Sequence, residues 1–321
     1  MDDKILKGAY SAEEFADAIE LMREQGMPRG VSTGWPELDQ YYAIPKGQWT
    51  LVTGFSHTGK STWIDNLLTN IAKAEHWKFL ICSPENQPIE RHIASLMEVH
   101  SGKKFGRPSE LYPNTHERAF MTEDEHREAY KFVVDHFYFV DPPDVEFTVE
   151  GIMNIANMVR ETFDFDGMVI DPYNEVEHKR PAGMSETDYI SWALTQFRRF
   201  VRQTNIHLWF VAHPVKPTRL SVKFSSNELE DAKRPMYQRC SLFDTAGAAH
   251  WKSKADFGIV IHRDMQDTST PTVIEVQKVR FRENGKLGEV SMYYDYLCNR
   301  FVSDYTDLLW NRENLGRRDM I

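Results

Sequence analysis

Cysteine is scarce in this chain of 321 residues: Cys82, Cys240 and Cys298 are the only three, odd in number and scattered. That excludes a disulfide framework, offers no zinc-ligand spacing and points to a reducing compartment. Long hydrophobic runs are missing too. No stretch of about 18 apolar residues occurs, so neither a transmembrane helix nor a membrane partner is expected. The N-terminus, MDDKILKGAYSAEEF, is acidic and lacks an apolar h-region. It is neither a secretory signal nor a basic transit peptide, so the expected location is cytoplasmic, not secreted. Positive charge is in deficit, with 38 Lys and Arg against 48 Asp and Glu and a net charge of −10. This disfavours a surface that coats nucleic acid as a whole. A local basic channel stays open, because counterion release depends only on the cations at the contact. The chain shows no internal repeat and no low-complexity segment.

What is present is a phosphate-loop pattern, G-x-x-x-x-G-K-[ST], at residues 54–61, GFSHTGKS. Gly54 and Gly59 let the backbone turn its N–H groups towards a phosphate chain. Lys60 sets a point charge near the β- and γ-phosphates, and Ser61 offers a hydroxyl to Mg²⁺. The context agrees: WTLVT precedes as a short apolar strand, and STWIDNLLTNIAKA follows with helical spacing. A strand feeding a helix N-terminus makes an anion site. The expected binding set is Gly54, Ser56, His57, Thr58, Gly59, Lys60, Ser61 and Thr62, for ATP or another nucleoside triphosphate with Mg²⁺.

Residues 11–26 read as one amphipathic helix. Ser11 and Glu14 form a capping-box pattern, Phe15, Ile19 and Met22 share a face, and Gly26 ends it. The stripe must bury itself on its own domain or on a neighbouring subunit. Residues 1–30 are therefore assigned as an N-terminal linker helix and connector, and residues 31–321 as the main domain. From residue 31 apolar runs alternate with helical patterns near 88–101, 148–163 and 187–204. The runs are KFLIC, FYFV, GMVID and HLWFVA. The fold class is α/β, a mostly parallel sheet with helices on both faces. After residue 256, FGIVIHR, PTVIEVQKVRF and GEVSMYYD leave no room for helices and read as a C-terminal antiparallel extension. The polar stretch 214–241 is long for a structureless loop, which marks it as functional or mobile.

Three further positions lie just past strand ends, where ligands bind in such sheets. Asp171 ends GMVID and can hold the water shell of Mg²⁺, or open a turn before Pro172. Glu85, after KFLIC, can orient an attacking water and accept its proton, or be an ordinary loop acid. His213, after HLWFVA, can donate to a γ-phosphate oxygen, or be a surface imidazole. Lys278, Arg280 and Arg282 recur at period 2 on one strand face, either solvated or meeting anions.

Taken together, RGVSTGWPELDQ, GFSHTGKS, SPENQPIERH, GMVIDPYN, FVAHPVKP, DTAGAAHWKSKADFGIVIHRD and VQKVRFRENGKLGEVSMYYD resemble replicative ring helicases. The resemblance is to the helicase domain of the Twinkle and bacteriophage primase-helicase type, DnaB-related members of the RecA-like superfamily 4. It covers about residues 10–300 and implies a RecA-like P-loop NTPase core. It also implies that Glu85 is the catalytic base, Asp171 and Ser61 hold the metal, and His213 senses the γ-phosphate. Arg280 would be an arginine finger acting on the next subunit's ATP, with Lys278 beside it. The linker helix would hold together a homo-oligomer, a hexameric ring on single-stranded DNA at a replication fork. Family members bind DNA through channel loops. The candidates here are Lys179, Arg180, Lys216, Arg219, Lys252 and Lys254, preferred for a shared place near the carboxyl-terminal rim of the sheet. A primase and a DNA polymerase are possible partners, in a bacterial or phage-infected cell. Thirty residues ahead of the core are too few for a primase domain, so the chain is a stand-alone helicase or a piece of a longer protein. Its basic tail, RENLGRRDMI, gives no support for an acidic polymerase-docking tail. Two other readings stay open: a RecA- or RadA-like recombination ATPase, and a KaiC-like regulatory ATPase without DNA.

Overall fold

A computed structural model describes residues 10–107, 115–141, 148–172, 183–214, 239–245, 248–264 and 270–308. Nine strands form one sheet: β1 (Trp49–Thr53), β2 (Phe79–Cys82), β3 (Phe137–Val140), β4 (Gly167–Ile170), β5 (His207–Ala212), β6 (Phe257–His262), β7 (Thr272–Val279), β8 (Gly288–Asp295) and β9 (Arg300–Val302). Their order is β3-β2-β4-β5-β1-β6-β7-β8-β9. The helices are α1 (Ala16–Gln25), α2 (Pro36–Asp39), α3 (Lys60–Glu75), α4 (Ile89–Ser101), α5 (Glu123–His136), α6 (Val149–Arg160), α7 (Glu186–Thr204) and α8 (Ala248–Lys254).

Strands β1, β2, β4 and β5 are buried at every residue. Near-continuous apolar runs are what a parallel sheet covered on both faces requires. Side chains alternate between two cores. Val52, Ile81, Val169 and Val211 meet α3, α4 and α5 through Trp63, Leu67, Leu96 and Val133. Leu51, Leu80, Met168 and Phe210 meet α6, α7 and α8 through Ile152, Leu194, Phe197 and Trp251. In β7 buried residues alternate with half-buried ones, as a sheet wet on one side demands.

Three expectations need correction. Strand β6 belongs to the parallel part, pairing Thr50 with Phe257 and Thr53 with Val260, so the antiparallel extension starts at β7. Among the described residues, the connection from β5 to β6 carries α8, whose short apolar pattern hides within AAHWKSK. Helix α5 was not visible in the sequence pattern, because only Ala129 and Val133 of its residues are buried. A reciprocal Thr122–Glu125 capping box starts it. Finally, β7 ends at Val279. Arg280 follows in a bend and exposed Arg282 opens a 3-10 turn, so the period-2 cation face does not continue.

The N-terminal helix forms as a 3-10 turn over Ala12–Phe15 running into α1, and stops at Gly26 with φ +85°. Glu14 accepts the Ser11 N–H at 2.7 Å. No residue of α1 is buried, and Ile19 is 60% exposed. Among the described residues, none buries this stripe.

Candidate nucleotide-binding site

The four strands β2, β4, β5 and β1 are consecutive neighbours, so their carboxyl ends lie within three strand spacings, about 14 Å. Each end delivers one expected residue: Glu85 after β2, Asp171 after β4, His213 after β5, and the loop 54–59 after β1.

The loop is shaped by its glycines. A Cβ on Gly54 would lie 2.4 Å from the Ile261 carbonyl oxygen of β6, so only glycine lets the chain pass there. Gly59 adopts φ +91°, left-handed, and α3 starts at the next residue. Lys60 is folded into the loop, where its Nζ donates to the carbonyls of Gly54 at 2.9 Å and Phe55 at 3.0 Å. Burial pulls the Lys60 ammonium down, and Asp171 and Glu85 oppose that. The ammonium is thus held inside the loop by two of its carbonyls.

Asp171 is 4% exposed. Burial pushes its carboxyl up to about 6, against a hydrogen bond from Ser61; buried Asp65 adds to the rise. Asp65 in turn accepts from His92 at 2.9 Å. Lys60 offsets part of the charge on Asp171, and Asp65 works against it. Because the folded value lies above the unfolded 3.8, the carboxylate costs stability above about pH 6, and the cost fades as pH falls towards 4. Asp171→Asn is expected to stabilise the nucleotide-free chain at pH 7 by up to about 3 kcal/mol. Urea unfolding at pH 7 and pH 4 checks this, since the gain should vanish at the lower pH.

Glu85 and His213 face each other, Oε1 to Nε2 at 3.4 Å. Pro214, next to His213, bridges to Thr245, three residues before α8. A cavity of about 690 Å³ opens over the loop, lined by Ser56, His57, Gly59, Lys60, Ser61 and Thr62, with Glu85 and His213 at its edge. That volume suits a nucleotide-sized ligand. Two expected loop residues stay out of the lining: Thr58 is buried, with its hydroxyl donating to the Phe55 carbonyl at 2.9 Å, and Gly54 lies beneath.

Asn86, Arg263, Tyr294 and Phe301 also line the cavity and were not singled out from the sequence. Only Arg263, just past the end of β6, carried a signal that could have found it. Tyr294 and Phe301 come from the extension: Tyr294 pairs with Phe301 across β8 and β9, their rings 5.2 Å apart. Asn66 of α3 ties β9 down by accepting the Phe301 N–H at 3.0 Å.

The remaining candidates lie elsewhere. Val279 pairs with Phe257, at the start of β6, and the Arg280 N–H donates to the Asp256 carbonyl at 2.9 Å. Arg280 and Lys278 thus sit at the opposite end of the sheet from the loop, roughly 16 Å of strand away across the five residues of β1. Lys254 is at that far end too, its Nζ bound to the Ser191 hydroxyl at 2.8 Å and the Thr195 hydroxyl at 2.7 Å. Lys252 lies over the Phe243 ring at 3.6 Å. The carboxyl-terminal rim expected for Lys254 is therefore not the one it occupies. Lys179, Arg180, Lys216 and Arg219 fall outside the described residues, as does most of 214–241.

No family model matches the chain. Over 306 residues it is 34% identical to the Twinkle homolog protein, chloroplastic/mitochondrial, of Arabidopsis thaliana, covering 94% of this chain and 40% of that protein. The chain thus spans less than half the length of this curated relative. Among solved structures, one isolated ATPase domain superposes with a TM-score of 0.68 at 18% identity, over 92% of this chain and 99% of that one. A DnaB-like replicative helicase, described with its primase interactions, gives 0.67 at 17% identity over 92% and 67%. Among the described residues no helix is long and apolar enough to cross a membrane. In sequence the chain is similar to a Twinkle homolog, and its fold is the RecA-like α/β fold of ATPase domains from DnaB-like helicases.

Proposed function

We propose that the chain is the motor of a DNA helicase that hydrolyses ATP, or a related nucleoside triphosphate, as a ring of identical subunits. One observation carries this reading: the catalytic groups are split between opposite ends of the sheet. Lys60, Ser61, Glu85, Asp171 and His213 gather at one end, while Lys278 and Arg280 stand at the other. Head-to-tail assembly joins two such halves into one site, and repeated head-to-tail contacts close into rings or run on as filaments. The open apolar stripe of α1 supplies a docking arm for the neighbour.

In the composite site the loop N–H groups and Lys60 hold the phosphates, and Tyr294, Phe301 and Arg263 offer flat faces to the base. Ser61 and Asp171 fit a divalent cation such as Mg²⁺, because a hydroxyl and a buried carboxylate, hydrogen-bonded to each other, are oxygen donors of the kind such an ion takes. When bound, the cation would neutralise phosphate charge. Glu85 takes the proton of the attacking water. His213, 3.4 Å from Glu85, relays the state of the γ-phosphate towards the segment after Pro214. Lys179, Arg180, Lys216 and Arg219 would reach DNA phosphates, making binding salt-dependent and indifferent to sequence; Lys252 and Lys254 have weaker support, given their contacts. A primase and a polymerase are the expected partners. The three buried free cysteines suit a reducing compartment such as a bacterial or phage-infected cytoplasm.

The test is unwinding of a forked duplex with ATP and Mg²⁺, alongside electron microscopy of the particles. Closed rings that separate strands are expected. Filaments that form joint molecules without unwinding would favour a recombination ATPase. Turnover indifferent to single-stranded DNA would favour a regulatory one.

A further inference from the structure

Asp256 lies between α8 and β6 and is almost fully buried, 3% exposed. Its backbone joins three elements: its N–H donates to the Trp49 carbonyl at 3.1 Å, and its carbonyl accepts the Arg280 N–H at 2.9 Å. Its carboxylate is shared. Oδ2 accepts the Trp49 N–H at 3.3 Å, and Oδ1 lies 3.1 Å from Arg280 Nε. Arg198 approaches the same oxygen at 4.0 Å.

The guanidinium of Arg280 is thereby fixed along one edge. Nη2 donates to the carbonyls of Ser253 at 2.8 Å, Ala255 at 3.3 Å and Lys254 at 3.4 Å. These belong to the C-terminus of α8 and the residue after it, where carbonyls carry partial negative charge. Lys278 caps the same end through the carbonyls of Lys252 and Ser253. A guanidinium has five N–H donors in a rigid fork. Nε and Nη2 are engaged inward, and among the described residues no hydrogen bond engages Nη1. The side chain is 25% exposed against 4% for Asp256. A braced fork with a free outer edge is the geometry that meets a phosphate without first losing rotamer freedom.

We propose that Asp256 is a positioning residue that braces Arg280 for attack-site stabilisation in the neighbouring subunit; this rests on the reading of Arg280 as a finger acting in trans. The carboxylate lies among Arg198, Arg280 and Lys278, so its charge keeps these cations together rather than splayed. Being bonded to the first residue of β1, it also ties the finger to the strand that ends in the subunit's own phosphate loop.

The test is Asp256→Asn, which keeps one acceptor for the Trp49 N–H, removes the charge and sets a donor in place of the acceptor that faces Arg280 Nε. Its kcat for ATP, with Mg²⁺ and single-stranded DNA, is expected to fall about 10–100-fold, the worth of one charge-assisted hydrogen bond, with unchanged nucleotide affinity. Asp256→Glu is expected to retain intermediate turnover. Mixed assemblies separate bracing from mere strand stapling. Asp256→Asn should regain turnover when mixed with Glu85→Ala, whose finger is intact, and should not regain it with Arg280→Ala. If Asp256→Asn does not fold, Asp256→Glu carries the same mixing test. Wild-type turnover for Asp256→Asn overturns the proposal. So does failure to recover with Glu85→Ala while Arg280→Ala does recover with it. Failure of that second pair too would instead bring down the trans reading beneath it.

Discussion

Replacing Arg280 with alanine is expected to lower ATP turnover by about 10³–10⁵-fold, the range over which arginine fingers act in NTPases. Nucleotide affinity of the isolated subunit should not change, because Arg280 sits at the far end of the sheet from Lys60 and touches Asp256 and α8 instead. The two readouts separate a finger from a binding residue: a group that acts only in the transition state lowers kcat and leaves ground-state affinity alone. Location in trans adds a third. Arg280→Ala and Glu85→Ala proteins should each be inactive alone and partly active when mixed, since one interface then joins an intact Glu85 to an intact Arg280. Phosphate release measured across mixing ratios checks this, with exchange of labelled subunits confirming that mixed assemblies form. No recovery at any ratio would count against the assignment.

Lys60→Ala is expected to abolish measurable turnover and to weaken ATP binding by about 10–100-fold, matching loss of one charge-assisted hydrogen bond. Lys60 now holds the loop shut on itself through the Gly54 and Phe55 carbonyls. In the proposed mechanism, phosphate oxygens would replace those contacts on binding. Without the ammonium, the buried Asp171 also loses the nearby cation that offsets its charge. Calorimetric titration with a non-hydrolysable ATP analogue, beside a phosphate-release assay, measures both effects. Turnover at the wild-type level would remove Lys60, and with it the phosphate-loop reading, from the mechanism.

The site was legible in unequal measure. The loop could be read directly because its chemistry is contiguous: two glycines, a lysine and a hydroxyl within eight residues, between a strand and a helix. Glu85, Asp171 and His213 were legible by position, since each follows a strongly apolar run and the carboxyl ends of a parallel sheet converge. Arg263 carried the same positional signal, just past the end of β6, whereas Tyr294 and Phe301 carried none. Tyr294 and Phe301 ride on β8 and β9 of a mostly half-wet extension, where an inward aromatic looks like any other packed ring. Helix α5 escaped for a similar reason, since its buried stripe is only two residues wide.

What the sequence determined by itself is local. It shows which segments are buried strands, which loop suits phosphate, and which acids stand just past a strand end. Those features depend on side-chain periods and on backbone turns a few residues long. Only the tertiary structure decided which ends face one another. It put Lys60 and Arg280 at opposite ends of the sheet, moved Lys254 away from the rim where DNA contact was expected, and set Asp256 against a guanidinium 24 positions on. Strand order and direction determine such distances. They follow from how the whole chain buries two apolar faces at once, and no single segment encodes them.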